Sequence, residues 1–164
     1  MTARAGAVQD LVALAALYAE IDAYLEALRA ALIESGDGSG ADRIEAKQRL
    51  NDQAYFVICW GQLESAIDDA CRSAIRARRG HADWAVRRAW DLYNPDEKRL
   101  SGLSFEDRTA LVLDRQGGAK SPWARVQFYY ALRNQIAHGK LRPERIDVTA
   151  VVGEMYVIQG ALTP

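Results

Sequence analysis

The chain has 164 residues, of which 49% are hydrophobic and 26% charged, and its formal net charge is −1. This is the composition of an ordinary globular protein, long enough for one domain with a core. The near-neutral charge argues against a protein that binds nucleic acid through bulk electrostatics. No apolar run has the length of a membrane span and no signal segment opens the chain, so we expect a cytoplasmic protein without membrane contact.

Two long helices are predicted in the first half of the chain. Apolar residues recur at alternating spacings of three and four, which is typical of a long helix that buries one narrow stripe. They are Leu11, Leu14, Tyr18, Ile21, Leu25, Leu28 and Leu32. The first helix is expected over 1–34, and the Gly- and Ser-rich segment 35–40 predicts a flexible loop.

The second long helix is predicted from residue 41 to residue 79. Its apolar face carries Phe56, Cys59, Trp60, Leu63, Ile67, Ala70 and Ala74. Because Cys59 and Cys71 lie on this one helix, they cannot bond to each other, and we interpret both as reduced core residues. The closing arginines, at positions 76, 78 and 79, are most simply the complement of the helix dipole; an RNA-binding patch is the less favoured interpretation.

Shorter helices are predicted in the second half. One carries Trp84, Val86 and Trp90, and another begins after the N-cap Ser104 and continues through Leu113. Gly117 and Gly118 indicate a turn. Ser121-Pro122 predicts the start of a helix that ends at His138-Gly139.

A last helix is predicted to open at Pro143 and Glu144. The β-branched run 148–152 has no second strand candidate to pair with, so helix is favoured there. The predicted fold is therefore all-α. It is a single domain over 1–164, a helical bundle with two long antiparallel helices and several shorter ones, in which 41–164 carries the motif described next.

The helix over 123–138 shows two different faces on a helical wheel. Phe128, Tyr129, Leu132 and Ile136 form an apolar stripe that is expected to face the core. The opposite face mixes aromatic, small and polar residues: Trp123, Val126, Tyr130, Arg133, Asn134, Ala137 and His138. A helix with such a second face usually has a second partner, and we expect that partner to be another copy of the chain.

Arg133, Asn134 and His138 are the candidate catalytic residues. Histidine exchanges protons near neutral pH, and the guanidinium fork of arginine binds phosphate oxygens in a bidentate manner. Asn134 would orient the imidazole or hold a phosphate oxygen. Arg133 and His138 lie about 140° apart around the helix axis, so one copy cannot easily aim both at one phosphate, whereas two copies related by a two-fold axis can.

The pattern Arg133-Asn134-x-x-x-His138 near the end of a helix, in an all-α chain of this size, resembles the HEPN superfamily, whose recurring motif is Arg-x4–6-His. The similarity includes the helix with Phe56, Trp60 and Glu64 and covers most of the chain from residue 41 onward. The resemblance implies a dimeric, metal-independent endoribonuclease that acts on RNA as a toxin, an antiphage effector or a processing factor.

The resemblance also implies possible protein partners, namely an antitoxin or a nucleotidyltransferase. The latter modifies a tyrosine two places after the histidine in some family members; here that residue is Lys140. Some members of the family only bind, so the alternative function is a non-catalytic helical interaction or RNA-binding module. We expect no cofactor for either function.

Two further residues are supporting candidates, and one histidine is set aside. Glu64 lies at the edge of the apolar face, where a half-buried carboxylate needs a partner such as Arg133. Tyr130 lies on the motif face. His81 is interpreted as a surface or capping residue, because the histidines and cysteines lack the spacing of metal ligands, and no metal is expected.

Overall fold

The computed structural model describes residues 2–97, 100 and 102–163, with side chains from residue 11 onward. Six α-helices make up this part of the chain, and it contains no β-strand, which confirms the all-α prediction. They are α1 (Thr2–Glu34), α2 (Gly38–Arg79), α3 (Trp84–Trp90), α4 (Phe105–Ala110), α5 (Pro122–Ala137) and α6 (Val148–Ala161). Among the described residues, no helix is long and apolar enough to span a bilayer.

The residues form two compact units. Unit 1 contains the chain up to Gln62 together with Tyr130–Tyr156, and unit 2 contains Leu63–Tyr129 together with the residues from Val157 on. In unit 1, side chains of α1 bind side chains of α2 in reversed order, so that residues later in α1 pair with residues earlier in α2. These pairs are Tyr18 with Asp52, Asp22 with Gln48, and Arg29 with Glu45.

The turn between α1 and α2 is shorter than predicted. Gly36 has a φ of +80°, and the N–H groups of Gly36 and Asp37 donate to the carbonyls of Ile33 and Leu32, which closes α1 in a Schellman motif. The Asp37 carboxylate then accepts a hydrogen bond of 2.7 Å from the N–H of Gly40. This cap stabilises the first turn of α2, so Gly38–Gly40 are helical despite the low helix propensity of glycine.

In unit 2, the helix that follows Ser104 begins as predicted. The Ser104 hydroxyl accepts from the N–H of Asp107, whose carboxylate accepts in return from the N–H of Ser104, forming a capping box. The regular helix ends at Ala110, before the predicted end at Leu113. The chain beyond it is tied to the C-terminal segment, where the N–H of Thr163 donates to the Val112 carbonyl at 3.1 Å.

The predicted start of the last helix at Pro143 is wrong, because α6 begins at Val148. Asp147 caps it, accepting from the N–H of Ala150 at 2.9 Å. The residues before the cap are extended toward α2 instead, where the Arg145 side chain and the N–H of Ile146 bind the Asp52 carboxylate. Helical backbone at these residues would compete with that buried contact.

Candidate functional site

The motif residues lie at a well-defined end of α5. The Ser121 hydroxyl caps the start of the helix by accepting from the N–H of Ala124 at 3.2 Å. At the other end Gly139 has a φ of +76°, and the N–H groups of Gly139 and Lys140 each donate at 2.9 Å to the carbonyls of Ile136 and Gln135. Both predicted ends of this helix are therefore confirmed, with Gly139 in the left-handed conformation of a Schellman motif.

The predicted faces of α5 need a correction. Trp123 is 9% exposed and Val126 is fully buried, although both were assigned to the face for a second copy. Phe128 was assigned to the core but is 51% exposed, packed against the Tyr129 ring at 5.4 Å and under the Arg125 guanidinium at 5.8 Å. Because the buried arc of the helix includes Trp123 and Val126, the predicted dimer face from Trp123 to His138 is wrong in its N-terminal half.

Arg133 and Asn134 form a side-chain pair. The Nη1 of Arg133 donates a hydrogen bond of 3.0 Å to Oδ1 of Asn134, and both side chains are half-buried. The Asn134 oxygen is thus turned toward Arg133, a contact that neither of the two expected roles, orienting the imidazole or holding a phosphate oxygen, had included. This contact restrains the guanidinium and leaves the Asn134 amide nitrogen as a donor group.

Tyr130 positions the turn of α5 that carries this pair. Its ring lies 6.0 Å from that of Trp60 between centroids, with an angle of 35° between the planes, and Trp60 is buried in unit 1. Residues three and four positions after Tyr130 lie on the same side of a helix, and these are Arg133 and Asn134. The aromatic contact therefore fixes the helix beneath the polar pair.

His138 is the first residue after α5 and its side chain is exposed. Its N–H still donates at 3.1 Å to the carbonyl of Asn134, so the backbone that holds the imidazole is ordered by the helix. An exposed imidazole on a fixed backbone can exchange protons with a bound molecule or with water.

The other residues considered from the sequence, Glu64 and His81, lie outside the end of α5. Glu64 is half-buried and belongs to unit 2, and its pairing with Arg133 stays a prediction. His81 is exposed, as predicted, and its Nδ1 accepts from the N–H of Asp83 at 3.0 Å. Within the described ranges, no three His, Cys, Asp or Glu side chains form a group that could hold a metal ion.

Unit 1 contains a buried charged network that was not predicted from the sequence. The carboxylate of Asp52, whose side chain is fully buried, accepts hydrogen bonds from the Tyr18 hydroxyl at 2.9 Å and from Arg145 Nε at 2.9 Å. Arg145 also pairs with Asp22. The hydrogen bond to Asp52 raises the pKa of Arg145 above its ordinary value, while burial, reinforced by Asp52, raises the pKa of Tyr18.

The network holds the segment that follows His138. Next to Asp52, the Gln53 amide accepts from the N–H of Arg142 at 3.0 Å and donates to its carbonyl at 3.3 Å. The segment 141–146 is thereby fastened to α2 on both sides of Pro143. The available signal was a set of polar residues, Gln48 and Asp52, in helical register with the apolar positions Tyr55, Phe56 and Cys59.

No protein-family model matches this chain, and no curated protein or solved structure matches it either.

Proposed function

We propose that the protein is a metal-independent endoribonuclease that acts as a homodimer, in the role of a toxin or an antiphage effector. The observation that carries the proposal is the arrangement at the end of α5. Arg133 is restrained by Asn134 five residues before the exposed imidazole of His138, on a helix end ordered by Gly139. A phosphate-binding cation and a proton-exchanging group are the minimum that RNA cleavage by the 2′-hydroxyl requires.

In the proposed reaction, the 2′-hydroxyl oxygen of a ribose attacks the adjacent phosphorus and the bond to the 5′-oxygen breaks. His138 acts as the general base that removes the 2′ proton or as the general acid that protonates the leaving 5′-oxygen, and water takes or supplies the other proton. Arg133 stabilises the negative charge that accumulates on the phosphoryl oxygens, and Asn134 holds the guanidinium. The products are a 2′,3′-cyclic phosphate and a 5′-hydroxyl.

The proposal includes a composite site shared by two copies. Arg133 and His138 are five residues apart and lie about 140° apart around the helix axis, so two α5 ends related by a two-fold axis place an arginine of one copy near a histidine of the other. Trp123 and Val126 are buried within the chain, so the contact must use the exposed end of α5, where Gln135 and Ala137 lie.

A non-catalytic interaction or RNA-binding module is the second candidate. Its favouring observation is that Arg133 is half-buried and already hydrogen-bonded to Asn134 in the isolated chain. Such a pair stabilises the helix end without a substrate. The nuclease candidate requires His138 for RNA cleavage, whereas the binding candidate requires it for no chemical reaction.

The testing experiment is incubation of the purified protein with total RNA in EDTA. We expect cleavage by the wild type and by Lys120→Ala, a change at an exposed residue beyond the opposite end of α5 that serves as the control. Arg133→Ala and His138→Ala should each lose about a hundredfold or more of the cleavage rate while retaining their helical circular dichroism. Intact RNA with the wild type, or full activity in the folded alanine variants, contradicts the nuclease proposal.

Mixing the two inactive variants tests the composite site. If each site takes its arginine from one copy and its histidine from the other, a heterodimer of Arg133→Ala and His138→Ala has one site with both changes and one site with neither. If each site takes its arginine and histidine from different copies, an equal mixture should recover about a quarter of the wild-type activity. No recovery, in a mixture shown to exchange subunits, contradicts the shared site.

A further inference from the structure

Helix α3 carries one indole that is largely exposed and another that is half-buried. The helix has no buried residue, although three of its seven residues are Trp84, Val86 and Trp90. Trp84 is 62% exposed. A large indole that contributes so little to a core has ring surface available for another molecule.

Two arginines lie over these indoles. The guanidinium carbon of Arg88 is 5.0 Å from the centre of the Trp84 ring, and that of Arg78 is 5.3 Å from the centre of the Trp90 ring. Both arginines are exposed, and neither forms an ion pair with a carboxylate within the residues that the structure describes. Their charge therefore remains available to an anion while their position is set by the ring.

The neighbouring arginines have structural partners. Arg76 pairs with Asp96 at 2.7 Å, and Arg79 pairs with Asp91 at 3.6 Å. Arg87 donates at 2.8 Å to the His81 carbonyl. These contacts hold the end of α2 and the start of α3 in place around the two stacked pairs, all within unit 2.

The charge of this segment differs from that of the chain. Residues 76–93 together with Asp96, the partner of Arg76, contain five arginines and three aspartates, a formal net charge of +2, in a chain whose formal net charge is −1. The helix-dipole interpretation of Arg76, Arg78 and Arg79 leaves Arg88 and the exposed Trp84 unexplained. A local positive potential beside flat aromatic surfaces is what proteins use for single-stranded nucleic acid.

We propose that the α3 patch, defined as Arg78, Trp84, Arg88 and Trp90, binds single-stranded RNA. Unstacked bases pack on the indole and guanidinium planes, and the arginine charges contact the phosphates. Base-paired RNA cannot offer its base faces to the patch. The binding does not depend on the nuclease activity proposed above.

The test is fluorescence anisotropy with a labelled twelve-nucleotide 2′-O-methyl oligouridine, which lacks the free 2′-hydroxyl needed for cleavage. We expect the full-length wild-type protein to bind it, with affinity that falls as salt concentration rises. Trp84→Ala and Arg88→Glu should each weaken binding about tenfold, the usual scale for loss of one stacking platform. A duplex of the same length should bind several-fold more weakly.

Two matched controls separate the patch from general effects. Tyr24→Ala removes an equally exposed aromatic side chain in unit 1, and Lys120→Glu makes the same charge reversal at an exposed position of unit 2. Both should bind like the wild type. Since α3 contains no buried residue, the patch variants should keep the wild-type circular dichroism and melting temperature.

The outcomes are distinct from those of the cleavage experiment. Absence of oligouridine binding at low salt, unchanged binding by folded Trp84→Ala, or binding to anionic vesicles in place of RNA would each overturn the inference. Loss of binding in the patch variants supports it even if no RNA is cleaved. Cleavage that persists without oligouridine binding removes the RNA patch and leaves the nuclease proposal standing.

Discussion

Burial controls the chemistry of the two cysteine side chains. Cys59 and Cys71 are fully buried, and neither forms a disulfide. Burial raises the pKa of each thiol to about 11, and Asp68 adds to this effect at Cys71. Since the thiolate is the reactive form, both residues behave as small core side chains, as the sequence predicted.

These thiols should make the free energy of unfolding fall as the pH rises through the alkaline range. Because the pKa of each thiol is higher in the folded state, the thiols' contribution to the free energy of unfolding is complete below the unfolded thiol pKa of about 9. It is lost as the pH rises through about 11. Urea midpoints should therefore fall between pH 9 and pH 11, and a Cys59→Ala, Cys71→Ala variant should show a smaller fall than the wild type. Equal slopes in the two proteins would show that the thiols do not contribute.

At the scale of elements, α5 is ordered by its ends. Ser121 supplies the first-turn acceptor, and Gly139 adopts the positive φ that allows the last carbonyls to be bonded. Because His138 lies between the helix and Gly139, the orientation of the candidate site depends on this closing turn.

Replacing Gly139 should separate backbone strain from steric contact. A Cβ at this position would meet no atom within 4 Å, so Gly139→Ala should cost about 1 kcal/mol of unfolding free energy from the positive φ alone. Gly61→Ala in the middle of α2 also adds a Cβ in open space, but there it should be neutral or stabilising. Urea denaturation measures both; a Gly139→Ala variant as stable as the wild type would contradict the assignment of a strained closing turn.

At the scale of the whole molecule, residues far apart in sequence meet at Asp52. Tyr18 is 34 positions away and Arg145 is 93 positions away, and the carboxylate also accepts from the N–H of Ile146 at 3.2 Å. A fully buried carboxylate is tolerated only when its lone pairs are satisfied, and here four donor contacts satisfy it. The network therefore connects the two long helices to the segment after the candidate site within unit 1.

Asp52→Asn should weaken this connection strongly. The change removes the negative charge opposite Arg145 and should cost about 3 kcal/mol of unfolding free energy, with faster hydrogen exchange in residues 141–146. Glu144→Gln, in an exposed pair with Arg142 at 3.4 Å, is the control and should change stability by less than about 0.5 kcal/mol. A small effect at both positions would show that the Asp52 ion pair adds little to stability.

Local signals in the sequence predicted much of the helical structure correctly. Ser104, Ser121 and Gly139 act through bonds to residues within five positions, so their effect can be read without the fold. The candidate site was found in the same way, since Arg133, Asn134 and His138 are neighbours on one helix. Their catalytic role stays a prediction.

The sequence by itself therefore determined the helical class, most helix ends and the grouping of the motif residues, because spacing, caps and propensity are local properties. The tertiary structure alone decided that Trp123 and Val126 are buried while Phe128 is exposed, and that α6 begins after the Arg145 contact. It also revealed Asp52 as a buried carboxylate and Trp84 as an exposed indole on α3. Burial and charge pairing depend on residues that are distant in the chain, and no local pattern specifies which of two plausible helix faces those residues cover.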